Sequence, residues 1–256
     1  MQSVKIDVSC LVLVKNECYF LPYVLRQTEN FFDSYVIYDV GSTDGTQEII
    51  EWFRERNDGK ADMFIRYLPH VPPEVQGSFR NSMILEGNRP TYFLLDGDEL
   101  YHPDMFPKII KASNQLRAYH MRDTINRYGM VRRIEISPDL AQRYVRERTH
   151  HRIYTNDAWW TGTHPGEAPY YKQDKHSEID FPEIKMFHFH NTLRSPKEDE
   201  ALKRINRKLK KTYHPNDQGM TGLNLIKELP MLAQPIENFS VSPVLAKLQA
   251  SAQQVS

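Results

Sequence analysis

Cysteine is scarce: Cys10 and Cys18 are the only two in 256 residues. No Cys-x-x-Cys pair and no Cys/His zinc spacing exists, which argues against a disulfide scaffold and fits a reducing compartment. An excess of charge of one sign is also lacking. Lys plus Arg number 33 and Asp plus Glu number 33, for a formal net charge of zero. That balance argues against bulk attraction to nucleic acid or to an anionic membrane. Long apolar runs are missing as well. The opening MQSVKIDVSCLVLVKNE is too short and too interrupted for a signal peptide or a membrane span, which predicts a soluble, cytoplasmic protein. No internal repeat and no low-complexity block occurs.

The charge that is present is uneven. Residues 122–152 are rich in arginine, and Lys203 to Lys211 reads KRINRKLKK. A solvated helix face explains the second run, and contact with phosphates or lipid head groups is the alternative. The chain is long enough for one substantial core or two closely packed halves.

Val8 to Val14 is a continuous apolar run that stops at Lys15-Asn16-Glu17, as a strand buried on both faces would. Tyr19 to Phe31 has helical spacing of Leu21, Val24, Leu25 and Thr28. Strands are predicted at Tyr35 to Asp39, Met63 to Leu68 and Thr91 to Leu95, with helices at Thr46 to Glu55 and Ser78 to Glu86. Alternating strands and helices with a polar cluster after each strand predict a doubly wound α/β sheet. Ligands bind such sheets outside the carboxyl ends of the strands. Asn16-Glu17, Asp39 to Thr46 and Asp96 to Glu99 should therefore line one crevice. Beyond Ala118 the pattern changes to strand-like pieces (Ala118 to Asp123, His151 to Tyr154, Lys185 to Phe189) among polar loops. Ser195 to Tyr213 reads as a helix, and Val244 to Ala252 as a short one in the tail.

Asp96-Gly97-Asp98 is the sharpest chemical signal. Two carboxylates one residue apart at a strand end can share a hard divalent cation, Mn²⁺ or Mg²⁺, and its diphosphate ligand. A turn that solvates a strand end explains the same residues. In Asp39-Val40-Gly41-Ser42-Thr43-Asp44-Gly45-Thr46 the glycines permit close backbone approach, and the polar residues can cap the next helix. His188 and His190 alternate on one strand and should share a face. Trp159 and Trp160 suit either core packing or stacking on a sugar ring.

Taken together, Asn16-Glu17, DVGSTDGT, Arg80-Asn81 and FLLDGDE resemble family 2 glycosyltransferases of the GT-A, Rossmann-like fold, over residues 6–110 and more loosely 158–210. The resemblance implies that Asp39 contacts the base, Asp96 the ribose or diphosphate, and that Asp98 ligates the metal. Asn16, Glu17, Arg80, Asn81, Gly97 and Arg194 join the donor side. Val40 departs from the pattern, because many relatives carry a second acid there. The segment from Trp159 to Glu167 resembles the acceptor side of relatives and offers Trp159, Trp160 and His164 as acceptor contacts. Glu167 is its candidate catalytic base, with Asp157 and Asp180 in reserve. Phe187 to His190 resembles the late strand that supplies a metal ligand; His190 is preferred and His188 is second, since His190 lies nearer Arg194.

The implied partners are a nucleoside-diphosphate sugar donor and a saccharide or other hydroxyl acceptor, with peripheral membrane contact left open. Residues 1–115 form the nucleotide-sugar-binding half, 116–214 the acceptor-binding and catalytic half of the same domain, and 215–256 a C-terminal arm. Two rivals stand beside this: a non-catalytic nucleotide-sugar or glycan-binding domain, and a sugar nucleotidyltransferase. The second would need a Gly-rich, basic phosphate loop early in the chain, and Lys15-Asn16-Glu17 is not one.

Overall fold

The computed structural model describes residues 7–70, 72, 75–122, 126–137, 139–140, 142–144, 148–160, 170–171, 176–190, 192–196, 220–222 and 224–253. The strands are β1 (Val8–Val14), β2 (Ser34–Val40), β3 (Asp62–Leu68), β4 (Thr91–Asp96), β5 (Glu99–Tyr101), β6 (Asn126–Glu135), β7 (Gln142–Tyr144), β8 (Arg148–Thr155), β9 (Ala158–Trp159), β10 (Tyr170–Tyr171), β11 (His176–His188) and β12 (Met220–Gly222). The helices are α1 (Leu21–Arg26), α2 (Thr46–Arg56), α3 (Gln76–Gly87), α4 (Met105–Arg122), α5 (Leu225–Glu228) and α6 (Pro243–Gln253).

Eight strands form one sheet in the order β3-β2-β1-β4-β8-β6-β11-β5. The first four run parallel; β8 is antiparallel to β4 and to β6, β11 is parallel to β6, and β5 is antiparallel to β11. This is the mixed α/β, mostly parallel architecture that the strand–helix rhythm predicted.

β1 and β2 are buried along their whole length, which suits their uninterrupted apolar sequences. Alternation splits them between two layers. Val8, Cys10, Val12, Tyr35, Ile37, Phe93 and Leu95 face one cluster with α1, α2 and α4. Leu11, Leu13, Val36, Tyr38, Tyr92 and Leu94 face the other with α3 and Trp160. Leu225, Leu229, Leu232 and Leu245 of the C-terminal segment pack into the first layer. Cys10 and Cys18 are free and buried. Among the described residues no helix is long and apolar enough to cross a membrane.

Two local expectations are corrected. Ala118 to Arg122 is the end of helix α4, not a strand. Phe106, Ile109, Ala112, Ser113 and Leu116 of that helix are buried at helical spacing, so one face of it is core. The helix expected over Tyr19 to Phe31 is short, ending at Arg26. The Thr28 hydroxyl donates to the Leu25 carbonyl at 2.6 Å, and Asn30 takes a left-handed φ of 69°, so turns replace further helix. The helix predicted from Ser195 to Tyr213 and the basic run 203–211 lie outside the described residues, apart from Ser195 and Pro196.

The two-layer core makes a stability expectation. Phe93 is fully buried and stacks on Phe32 at 5.7 Å. Phe93→Ala should lower the unfolding free energy by about 3–5 kcal/mol in urea denaturation. Leu85→Ala, at a side chain 71% exposed, should stay within about 0.5 kcal/mol of wild type.

Candidate active site

The sheet changes direction between β1 and β4: the chain moves outward from β1 through β2 to β3, then returns to β1's other side. Loops diverge at such a switch point and leave a crevice. Register brings Val14 opposite Asp39 and Leu13 opposite Asp96, so the polar clusters leave the sheet at one level.

The first two loops are stitched together. The Asn16 amide donates to Ser42 Oγ at 2.8 Å and the Glu17 amide to Thr46 Oγ1 at 2.9 Å. The Cys18 amide donates to Asp44 Oδ2 at 3.3 Å, and the Thr43 amide donates to Asn16 Oδ1 at 2.9 Å. Asp44 also accepts from the Thr46 amide at 3.1 Å, satisfying one donor at the start of α2. Asp39 is buried; its carboxylate accepts from the Ser42 hydroxyl and from Gln47 Nε2 at 2.6 Å. Gly41 has φ +88°, and a Cβ there would sit 2.7 Å from the His70 amide nitrogen, so only glycine fits.

The turn from β4 to β5 carries Asp96, Gly97, Asp98 and Glu99. A Cβ on Gly97 would lie 2.7 Å from Glu17 Cγ, so the missing side chain lets this turn close on the first loop. Asp98 is buried. Arg194 Nη1 reaches its Oδ2 at 3.0 Å and Glu17 Oε1 at 2.5 Å. His188 Nε2 and His190 Nδ1 stand 3.7 and 3.8 Å from the same Oδ2, their rings stacked at 5.1 Å. The two histidines share a face and stand at nearly equal distance from Asp98. His188 Nδ1 meets both Glu135 oxygens at 3.2 Å, and Arg133 Nε lies 3.0 Å from Glu135 Oε1. The Arg194 carbonyl accepts from the Tyr19 amide at 2.9 Å, tying the late loop to the first.

A second ion-pair group lies beside this one. Arg152 of β8 donates from Nη2 to Asp96 Oδ2 at 2.8 Å and from Nε to Glu99 Oε2 at 2.8 Å, with Glu99 Oε1 also bound. Arg80 Nη2 lies 3.5 Å from Asp96 Oδ1. The adjacent Asn81 points elsewhere: its Nδ2 donates to the Trp160 carbonyl at 2.7 Å, and its Oδ1 accepts from the Trp160 amide at 2.8 Å. Trp160 is buried, whereas Trp159 is 43% exposed.

Burial alone would raise the Asp98 carboxyl, but His188, Arg194, His190 and Arg152 outweigh it and hold Asp98 well below the usual carboxylate range. Burial would likewise raise Glu135, and the His188 hydrogen bond and charge bring it below its ordinary value. Burial disfavours a charged His188, yet Asp98 and Glu135 overcome that and raise it. His150 is pushed down by burial and by Arg152 and Arg133. Burial pushes Glu99 up to about 7 against the pull of Arg152.

Asp98, His188 and His190 bring ligand atoms within 4.8 Å of one another. One ionised carboxylate oxygen and two imidazole nitrogens are a donor set that could hold a divalent cation. Asp96, Glu99 and His150 also converge within 4.8 Å; Arg152 binds both carboxylates of that set, whereas the first set has one carboxylate, held by Arg194, and two histidines.

Several predicted residues lie elsewhere. Asp157 follows Thr155, which pairs with Thr91 at the start of β4, whereas Asp96 ends that strand. Its carboxylate accepts from the Thr155 hydroxyl and faces His120 at 3.9 Å, so it does not join the cluster. Asp180, on β11 well before His188, pairs with Met130 of β6. His164 and Glu167 lie outside the described residues. Sequence reasoning missed Arg152, Glu135 and Arg133. An arginine inside the β-rich run His151 to Tyr154 was the available signal for Arg152.

An open switch point carrying an Asp-x-Asp turn, arginines and a histidine pair marks the class of enzymes that handle a sugar joined to a nucleoside diphosphate. The chain belongs to glycosyl transferase family 2, whose profile matches residues 9–195, and its fold is of the GT-A class. No curated protein matches the sequence significantly. Among solved structures, TarS of S. aureus superposes with a TM-score of 0.48 at 13% identity, covering 79% of this chain and 39% of TarS. The Pyrobaculum calidifontis mannosyltransferase PcManGT, in complex with GDP-Man and Mn²⁺, gives 0.45 at 13% identity, covering 96% and 68%. Mycobacterium tuberculosis glucosyl-3-phosphoglycerate synthase, with Mn²⁺, UDP and glucosyl-3-phosphoglycerate, gives 0.43 at 12%, covering 79% and 76%. The chain thus spans well under half the length of TarS.

Two expectations follow from the charges. Removing Arg152 leaves the buried Glu99 without its partner and Asp96 with Arg80 alone, so Arg152→Ala should cost about 3–5 kcal/mol in chemical denaturation. In chelator, the histidines give opposite pH limbs. The depressed His150 contributes stability above its unfolded value of 6.5, lost as pH falls below it. The raised His188 contributes fully below 6.5, and that is lost as pH rises through its folded value. The raised Glu99 opposes the His150 limb between pH 4.5 and its folded value near 7, so melting temperature should change little just below pH 6.5 and fall above it, and His188→Gln should flatten that alkaline fall. A wild-type melting temperature climbing steadily from about pH 6 to 8 would contradict this.

Proposed function

We propose that this chain transfers a sugar from a nucleoside-diphosphate sugar to a hydroxyl of a saccharide acceptor, glycan or lipid-linked, with inversion and with dependence on Mn²⁺ or Mg²⁺. The observation that supports this most is Asp98. It is a buried carboxylate held ionised between His188, His190 and Arg194 at the carboxyl end of the sheet. Asp98, His188 and His190 would hold the cation, with Glu135 orienting His188 through Nδ1. When bound, the cation stabilises negative charge on the leaving diphosphate.

The chain's own groups do the rest. Arg194 has guanidinium donors for bidentate contact with phosphate oxygens. Asp96, fixed from both sides by Arg80 and Arg152, offers its carboxylate to the ribose. Asp39, Asn16 and Glu17 border the base and diphosphate. Trp159 presents an exposed face for an acceptor ring, and Glu167 takes the acceptor proton as general base.

The test is calorimetric titration of UDP, GDP, ADP and CDP, with and without Mn²⁺, on wild type and Asp98→Ala. One nucleotide should bind only with metal, and the substitution should weaken it by more than about tenfold. Binding that ignores both the metal and Asp98 would remove the reading. Incubation with the matching nucleotide sugar should release the nucleoside diphosphate; pyrophosphate would indicate nucleotidyl transfer, and binding without turnover a non-catalytic domain.

A further inference from the structure

Arg80 and Asn81 are neighbours on α3, yet they serve different walls of the crevice. Arg80 reaches Asp96 on the donor side. The Asn81 amide is committed to one peptide unit far along the chain, accepting from the Trp160 N–H and donating to the Trp160 carbonyl. Both partners require opposite ends of the amide, so its orientation is fixed by them. Asn81 is buried, which leaves its side chain little access to a ligand.

This contact fixes which face of the tryptophan pair is presented. Adjacent residues on an extended chain point to opposite sides. Trp160 is directed into the second core layer, edge-on to Tyr154 at 5.2 Å and under the Arg80 guanidinium at 5.8 Å. Its indole N–H is buried and has no acceptor among the described residues, which disfavours that placement. The paired backbone hydrogen bonds from Asn81 offset the penalty. With Trp160 held inward, Trp159 is turned outward.

We infer that Asn81 is a positioning residue and not a ligand of the donor nucleotide: it clamps the Trp160 backbone so that Trp160 stays in the core and Trp159 stays on the surface. The inference rests on the glycosyl-transfer reading for what Trp159 meets, and on hydrogen bonds alone for the clamp. Arg80 ties the donor wall to the same tryptophan from above, so one helical turn sets both walls.

The test compares Asn81→Leu and Asn81→Asp with wild type in two measurements. The first is hydrogen exchange of residues 158–160, with β2 as an internal reference. The second is calorimetric affinity for whichever of UDP, GDP, ADP and CDP wild type binds with Mn²⁺. Leu removes both hydrogen bonds, whereas Asp keeps the acceptor and loses the donor. Exchange at 158–160 should accelerate by about tenfold or more in Leu and less in Asp, with β2 unchanged. Nucleotide affinity should stay within about threefold. Unchanged exchange, or a loss of nucleotide affinity beyond about tenfold, would overturn the assignment. If Asn81→Leu fails to fold, Asn81→Asp alone decides by the same two criteria. If wild type binds no nucleotide, the functional reading falls and the exchange measurement still judges the clamp.

Discussion

Burying acids is the constraint on which the rest of this structure depends. Glu17, Asp98 and Glu99 are all buried, and Asp96 lies among them at the end of β4. Carboxylates this crowded cannot stay ionised in a protein interior unless cations meet them. The chain supplies those cations from distant parts of the sequence: Arg80 from α3, Arg152 from β8, His188 from β11 and Arg194 from the loop beyond it. Each pairing therefore closes a long loop. Local order in the crevice and the long-range topology are one requirement, because β8 and β11 must join the parallel sheet for Arg152 and His188 to arrive.

Small residues let the charges approach. Without side chains, Gly97 allows the Asp-x-Asp turn to lie on Glu17, and Gly41 allows the second loop to pass against His70. These are backbone approaches that any Cβ would block, so sequence spacing alone does not reveal how tight they are. The loops are then bound by hydroxyls and amides: Ser42, Thr46, Asp44 and Asn16 exchange hydrogen bonds across the two strand ends. The rim of the crevice is thus held mainly by neutral or singly charged contacts, and the floor by ion pairs.

What was legible in the sequence follows from this division. Strands β1, β2 and β4 could be read because each is largely apolar on both faces and ends abruptly in polar residues. The loops after β1, β2 and β4 could be placed together because parallel strands end at one level. The joint face of His188 and His190 came from simple alternation. Arg152, Glu135 and Arg133 were not legible as a site. Their roles come from pairing between β4, β8, β6 and β11, and nothing in the local sequence of a mixed sheet fixes which strand lies next to which. Helix α4 was missed for a different reason: its buried stripe, Phe106 to Leu116, went unread, although its last residues AYHMR include the helix formers Ala, Met and Arg. Asp157 lies apart from the acid cluster, because an antiparallel neighbour carries it to the opposite end of β4.

The pairing of Arg80 with Asn81 shows how a single helix can serve two walls. Successive residues on a helix point about 100° apart, so one side chain can turn to the strand end and the next to the chain that crosses above it. Arg80 then contributes charge to Asp96 and covers Trp160, while Asn81 contributes only hydrogen bonds. A donor wall made of ion pairs responds to metal and phosphate, since its members exchange partners as charge arrives. An anchor made of neutral hydrogen bonds does not respond to charge in that way. The arrangement lets the donor side reorganise around its ligands while the root of the acceptor side stays where α3 puts it.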